Sequence, residues 1–372
     1  MDDGVEEGCN KTLSNINCSD SDHHELQPEA VAVPLVFTLI FIIGIFGNIL
    51  LLCSFIKHKT FGTPHNVFVI NLAIGDLVIL FVSLPFNATW YYLLSWPYGE
   101  AICKLSHFAE TLGTAVSVLT LTILSIERYI IISGRHRSSR RRFSPAVILA
   151  FVWMTSLYIS IPDLISAVVE SPKSHTGKLY YCLAYTASWG QVYPKIITAV
   201  RFVLLFVVPL AVIFPFYVLI FCSVISKATL TQPTSSTPLK GDNRQLNVEK
   251  EDKKFRKRKS FAITVFCLVL VFILCWLPRH TFLIWYYFDP GLFNEFWHGF
   301  KIIGFCLVFA NSALNPLIFL LLDSRYKRFV KRIITCKGST SRILKNDRAL
   351  VEEQQTIVMA DIGGNVSQID FV

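Results

Sequence analysis

VAVPLVFTLIFIIGIFGNILLLCSFI, residues 31–56, carries no ionisable acid or base and a single amide, Asn48. A bilayer core takes about 20 apolar residues wound as a helix, so this stretch suffices for one crossing. Six more stretches meet the same condition: 66–92, 103–133, 145–167, 195–225, 260–287 and 295–322. Seven crossings place the two termini on opposite sides. Composition agrees, because 53% hydrophobic and 16% charged residues fall well below the roughly 25% charged share of soluble domains. With 372 residues in all, little remains for a soluble domain. The expected fold is an all-α membrane protein: a polar tail at 1–30, a seven-helix bundle at 31–322, a short amphipathic surface helix at 323–336 and a disordered tail at 337–372.

Basic residues orient the bundle, since Lys and Arg of short loops stay on the cytoplasmic side. Lys57 and Lys59 follow the first span, Arg135, Arg137, Arg140, Arg141 and Arg142 the third, and the run 253–259 precedes the sixth. The opposite loops, around Trp96, Lys173 and Asp289, are poor in base. The N-terminus is therefore expected outside and the C-terminus in the cytoplasm. On this reading the net charge of +9 faces the inner leaflet and cytoplasmic partners rather than nucleic acid. Residues 1–29 are acidic and polar without a cleavable-signal pattern, so the first span is expected to serve as its own signal. Asn10, Asn17 and Asn87 head glycosylation sequons on the outer side, the last so close to the membrane that it could escape modification; Asn365 heads another that would be cytoplasmic and unused.

Of ten cysteines, Cys53, Cys222, Cys267, Cys275 and Cys306 lie inside spans and read as small packing residues. Cys103, at the outer start of the third span, and Cys182, in the loop before the fifth, share the oxidising side and are expected to be bridged. Cys9 and Cys18 could pair with each other or stay apart. Polar groups inside spans are costly and tend to mark function. Asn48, Asp76, Asn311 and Asn315 sit near mid-span. The asparagines could simply tie helices together by hydrogen bonds. A carboxylate among amide and hydroxyl oxygens is better read as an ion or proton site, and with Ser117 these four residues form an oxygen set suited to sodium. No other cofactor is expected.

Gly47–Asn48, Asn71–Leu72–Ala73 with Asp76, Glu127–Arg128–Tyr129, Trp153, Phe272 with Cys275–Trp276–Leu277–Pro278, and Asn315–Pro316–Leu317–Ile318–Phe319 resemble the signature set of rhodopsin-like G-protein-coupled receptors. The resemblance runs through all seven spans in order. It implies that Glu127 holds Arg128 in the resting state, that Pro209 and Pro278 soften their helices, and that Trp276 beside Phe272 is a toggle on a hinged sixth helix. It also implies that Tyr217 stabilises the active state and that a heterotrimeric G protein, arrestin and receptor kinases are partners. One departure stands out: Phe319 occupies the place of a tyrosine whose hydroxyl would link to Tyr217. Without the resemblance, Trp276, Phe272 and Phe305 would read as ordinary core aromatics.

The ligand class is weighed on three charges. Glu110 lies seven residues, two helical turns, beyond Cys103, where receptors for biogenic amines carry an acid that pairs with the ligand ammonium. Against the amine reading, Arg201 and Arg279 are expected to face the same space, and residues 179–185 read as an apolar-aromatic hairpin, a usual edge for an extended peptide. A peptide ligand meeting Glu110, Arg201, Arg279, His280 and Phe305 is favoured. An internal salt bridge between Glu110 and an arginine is the structural alternative, and His280 could equally be a wall residue. Trp96–Pro97–Tyr98–Gly99, Ile161–Pro162–Asp163, Trp189–Gly190–Gln191–Val192–Tyr193, the run from Cys275 to His280, Phe296–Trp297–His298 and Ile303–Gly304–Phe305–Cys306 resemble bombesin-type peptide receptors, and among these the arthropod CCHamide receptors.

On the cytoplasmic side, the basic run 253–259 serves G-protein contact or anchorage to anionic lipid. Residues 323–335 alternate basic and apolar as a surface helix, with Phe329, Ile333 and Ile334 on its apolar side. Cys336 at its end is expected to be palmitoylated. Residues 229–251, rich in Pro, Gly, Ser and Thr, are expected to be disordered. The spans carry no convergent nucleophile or acid pair for an enzyme and no internal duplication for a transporter. Lys301 lies too near the outer end of its span to link a retinal, and Phe309 stands closer to that depth.

Overall fold

The computed structural model describes residues 28–58, 64–133, 144–171, 179–230, 242–289 and 291–334. Within them, seven helices are long and apolar enough to cross a membrane. α1 spans Pro28–His58. α2 runs Pro64–Val82, breaks at Ser83 and resumes as Leu84–Leu93. Pro85 has no N–H to give to the preceding turn, yet Asn87 still donates its backbone N–H to Ser83 at 3.2 Å, so the span continues past the break. α3 covers Gly99–Ser133 and α4 Pro145–Ser166. Ser144 caps α4 by accepting from the Ala146 N–H at 3.3 Å, with Pro145 at the first helical position, where a missing N–H costs nothing.

α5 is composite: Val192–Phe202, one π turn at Val203–Val207, then Val208–Leu230. The wide turn sits directly before Pro209, where Val208 donates back five residues to Val203. α7 spans Glu295–Leu322, and its cap, Asn294, accepts from the Trp297 N–H at 3.1 Å. α8 covers Ser324–Ile334. Asp323 starts it by accepting from the N–H groups of Arg325 at 2.7 Å and Tyr326 at 3.4 Å. Tyr326, Phe329 and Val330 are its buried residues, while Ile333 and Ile334 are exposed. The Tyr326 hydroxyl donates to the Gly47 carbonyl at 3.1 Å, pinning α8 to α1.

Two expectations are corrected. α6 runs Asp242–Phe288, so residues 242–251, expected disordered, are helical. The Pro, Ser and Thr composition ends at Gly241, and beyond it the sequence spaces Glu249 with Lys253 and Asp252 with Arg256 at i,i+4. The hairpin is also displaced. Its strands are β1, Val168–Glu170, and β2, Tyr181–Leu183, antiparallel with Val169 opposite Cys182, so residues 179–185 supply one arm only. Asn10, Asn17, Cys9, Cys18, Cys336 and the two tails lie outside the described residues.

α3 is the central helix, packed on α2, α4, α5 and α6. Glycine permits the closest approach: a Cβ at Gly113 would stand 2.7 Å from the Gly75 carbonyl oxygen of α2. Asn71 of α2 donates to the Thr120 hydroxyl of α3 at 2.8 Å and accepts from the Trp153 indole of α4 at 2.9 Å. Three helices are thus fastened by one amide, the structural content of the Asn71 and Trp153 motifs.

Candidate functional site

At one end of the bundle, Cys103 and Cys182 are joined by a disulfide that fastens β2 to the start of α3. Trp96 is buried beside it against Cys103 and Ala167. Its indole donates to the Gly99 carbonyl at 2.9 Å, and its backbone N–H donates to the Tyr180 carbonyl at 2.8 Å. Gly99, with φ at 74°, allows that turn. The Trp96–Gly99 motif is therefore a bracket for the hairpin over the helix ends.

Beneath the hairpin, the expected charges divide into two sets. Arg201 is committed: its guanidinium donates to the Asp163 carboxylate of α4 at 2.7 Å, with Asp163 1% and Arg201 16% exposed. The structure thus pairs Arg201 with Asp163 and not with Glu110. Tyr185 adds a contact at 3.5 Å from its hydroxyl to Arg201, and burial raises that hydroxyl's pKa above the usual phenol value. Arg279, in contrast, has no carboxylate at ion-pair distance among the described residues. Its guanidinium lies over the Phe305 ring, 5.5 Å from the centroid. Glu110 interacts with Arg279 at longer range, and both side chains are half-buried. Gly304 makes this geometry possible, since a Cβ there would come within 3.1 Å of the Arg279 backbone nitrogen. His107 lies one turn before Glu110 on α3 and is half-buried.

The floor is aromatic. His280 is buried among Phe202, Phe206 and Trp276 at centroid distances of 5.3, 5.1 and 5.6 Å. Phe272 lies below Trp276 at 6.1 Å. The Trp276 indole nitrogen and His280 Nε2 have no hydrogen-bond partner among the described residues. His280 thus packs in the wall against Trp276.

At mid-bundle, Asp76 is wholly buried. Its carboxylate accepts from the Asn315 amide at 2.8 Å and from the Ser117 hydroxyl at 3.3 Å. Asn48 directs its amide nitrogen to the carbonyls of Gly44 at 2.8 Å and Ser312 at 3.0 Å. Its own Oδ1, with those of Asn311 and Asn315 and the Ser312 hydroxyl, is buried and without a partner among the described residues. Asn311 makes no bond to Asp76. The asparagines do tie helices, as α1 to α7 through Asn48, and they leave oxygens over.

At the α8 end, Glu127 accepts from Arg128 at 2.8 Å and has His65 of α2 at 3.7 Å. Tyr217 directs its hydroxyl at the Ala262 carbonyl of α6 at 3.5 Å. Phe319, three residues after Pro316, is buried in the main core; it has no hydroxyl to offer Tyr217. Of the sequon asparagines, Asn87 is the one within the described residues: its amide donates to the Ser83 carbonyl, the Ser83 hydroxyl and the Ser106 hydroxyl at 3.0, 3.1 and 3.2 Å. Its amide nitrogen is turned toward the α2–α3 interface. Asp163 and His65 were not foreseen as partners. Asp163 had a legible signal, being the only charged residue from Pro145 to Ser166.

Residues 47–319 match the family described as 7 transmembrane receptor (rhodopsin family). The chain is similar to the neuropeptide CCHamide-1 receptor of Drosophila melanogaster, 31% identical over 85% of this chain and 62% of that relative's length. It is 29% identical to galanin receptor 2b of Danio rerio over 89% of this chain and 81% of the relative. With the bombesin receptor subtype-3 of Ovis aries it shares 30% identity over 82% of this chain and 75% of that protein. The chain spans about three fifths of the length of the first of these relatives. Seven membrane-length helices, a disulfide-bracketed hairpin over a charged recess and the paired Glu127–Arg128 at the opposite end accompany that match, and the chain belongs to the rhodopsin family of seven-transmembrane receptors.

Proposed function

We propose that the chain is a plasma-membrane receptor for an extracellular peptide, with the disulfide end outside and the α8 end in the cytoplasm, where it activates a heterotrimeric G protein. The observation that carries the ligand reading is the uncommitted pair in the recess: Arg279 with no carboxylate partner among the described residues, Glu110 within its electrostatic reach, and the β1–β2 hairpin above them. Buried or half-buried ions are costly unless matched, and an extended peptide presents carbonyl, acidic and basic groups together. A small amine would match Glu110 and leave Arg279 without an anion. The relatives named for CCHamide, galanin and bombesin support the peptide class. Arg201, already paired, acts as a wall that shapes the recess and is not the primary ligand contact.

The resting receptor holds sodium at Asp76. The residues fit such an ion: one carboxylate with the spare oxygens of Asn48, Asn311, Asn315 and Ser312 gives a hard-oxygen set on α1, α2 and α7, and Ser117 adds α3. When bound, the ion supplies a positive charge that balances Asp76 and fastens those helices. Arrestin and receptor kinases meet the same cytoplasmic end. Asn10 and Asn17 carry glycans, and Cys336 carries a palmitoyl chain just past α8. The deciding experiment expresses the chain in cells and records calcium and cyclic-AMP responses to a panel of amidated and disulfide-cyclised peptides and to the biogenic amines. Activation by peptides alone is the expected result; activation by an amine and by no peptide refutes the reading.

A further inference from the structure

Three side chains converge on Phe261, near the α8 end of the bundle. The guanidinium carbons of Arg128 from α3 and Arg325 from α8 stand 5.6 and 5.0 Å from its ring centroid. The imidazole of His65 from α2 meets the same ring edge-on at 5.2 Å. Both guanidiniums are steered from behind. Glu127 holds Arg128 at 2.8 Å and Asp323 holds Arg325 at 3.5 Å, and His65 approaches Glu127 at 3.7 Å. Arg128 is 4% exposed, a desolvated setting in which a cation over an aromatic face is worth more than at a wet surface. From Arg256 to Phe288, α6 contains no Asp or Glu. Over this length α6 offers Arg128 no carboxylate, and the Phe261 ring lies where an acid would otherwise pair with it.

We infer that Phe261 is the positioning residue that holds α6 closed against α3 and α8, its ring gripped by two arginines in place of an ion pair. The inference rests on the proposed signalling function and takes its activating step to be a movement of α6 away from Arg128. That movement breaks the ring contacts and leaves the Glu127–Arg128 pair whole. A cation–π contact is a factor of roughly two to five in an equilibrium at an exposed site and more when desolvated, so losing both raises the open-to-closed ratio about tenfold or more. Phe261→Leu keeps an apolar side chain of similar size and removes the ring; Phe261→Tyr keeps the ring.

The test uses the full chain in nanodiscs, its unpaired cysteines replaced by serine. Spin labels are placed at Val147→Cys on α4 and Arg256→Cys on α6, both exposed positions. Pulsed dipolar spectroscopy reads the open and closed populations without ligand, and basal nucleotide exchange is measured with Gs, Gi and Gq heterotrimers. The expected result is a roughly tenfold larger open fraction for Phe261→Leu, wild-type populations for Phe261→Tyr, and a smaller shift for Arg325→Gln. Equal populations in Phe261→Leu and wild type overturn the clamp, as does a Tyr variant as open as the Leu variant. A larger open fraction in the Leu variant without exchange on any heterotrimer supports the clamp and counts against the signalling function.

Discussion

Replacing Asp163 by asparagine keeps the shape of the side chain and removes the charge that faces Arg201 at 2.7 Å. With Asp163 1% and Arg201 16% exposed, the arginine left behind has little water to turn to. Stripping one member from a buried pair costs about 3–5 kcal/mol. Because Arg201 keeps some solvent access, the lower figure applies, and about 3 kcal/mol is roughly a hundredfold in a folding equilibrium. Asp163→Asn is therefore expected to reach the cell surface at a small fraction of the wild-type level and to melt earlier in detergent. The pair also offers an internal control. Replacing both partners by apolar residues of similar volume is often neutral, so Asp163→Leu with Arg201→Met should recover most of the surface expression that either change alone forfeits. Wild-type expression and melting in Asp163→Asn would refute the reasoning, and so would a double variant no better than the singles.

Cys103→Ser and Cys182→Ser each open a bridge closing 79 residues of chain; the expected loss is about 2–5 kcal/mol, seen as reduced surface level in both single variants and no further loss in the double. Asp76→Asn should abolish the effect of sodium chloride, relative to choline chloride, on the potency of whichever peptide activates the receptor, and retained sodium sensitivity would remove the ion from this site. Gly113→Ala should destabilise by about 1–3 kcal/mol, the usual cost of overpacking, because its Cβ meets the Gly75 carbonyl oxygen at 2.7 Å; an unchanged melting temperature would contradict the close approach of α2 and α3. Arg279→Ala should weaken peptide potency about tenfold or more at matched surface level, as expected for a charged hydrogen bond to ligand, and unchanged potency would take Arg279 out of the recognition site.

The spans were legible because lipid imposes one demand, a long apolar helix, and the bounds of α7 were read to the residue from composition. The extension of α6 was missed because water imposes no such demand: past Gly241 only weak propensity and i,i+4 charge spacing separate helix from coil. The charged recess was half legible. Arg279 and Glu110 could be placed on their helices by spacing from Pro278 and Cys103. The partner of Arg201 could not, since Asp163 lies 38 residues away on another helix and pairing is decided by how α4 and α5 pack. A lone acid in an otherwise uncharged span was nonetheless the same signal that drew attention to Asp76. Phe261 was invisible among thirty phenylalanines, because its meaning lies in the arginines brought over its faces by α3 and α8.

α3 contributes to every polar layer of the bundle: Glu110 to the recess, Ser117 to the Asp76 cage and Arg128 to the α8 end. A packed central helix that touches all three layers is a poor moving part. α6 is the better one, since it carries Arg279 on the hairpin side of the bundle, Phe261 on the α8 side, and between them Pro278, which cannot complete the helix ladder. Eighteen residues separate Phe261 from Arg279, about 27 Å at 1.5 Å per residue, so ligand and clamp act on one rod from opposite ends. Coupling through such a rod is reciprocal. If the closed state dominates at rest, apparent agonist affinity is the intrinsic affinity scaled by the open fraction, and the tenfold rise expected of Phe261→Leu should reappear as a roughly tenfold gain in peptide potency. Arg279→Ala should lower potency and leave the resting populations where they were. A Phe261→Leu receptor with a raised open fraction and wild-type potency would mean that the peptide does not read the position of α6, and the coupling would then have to run through another helix.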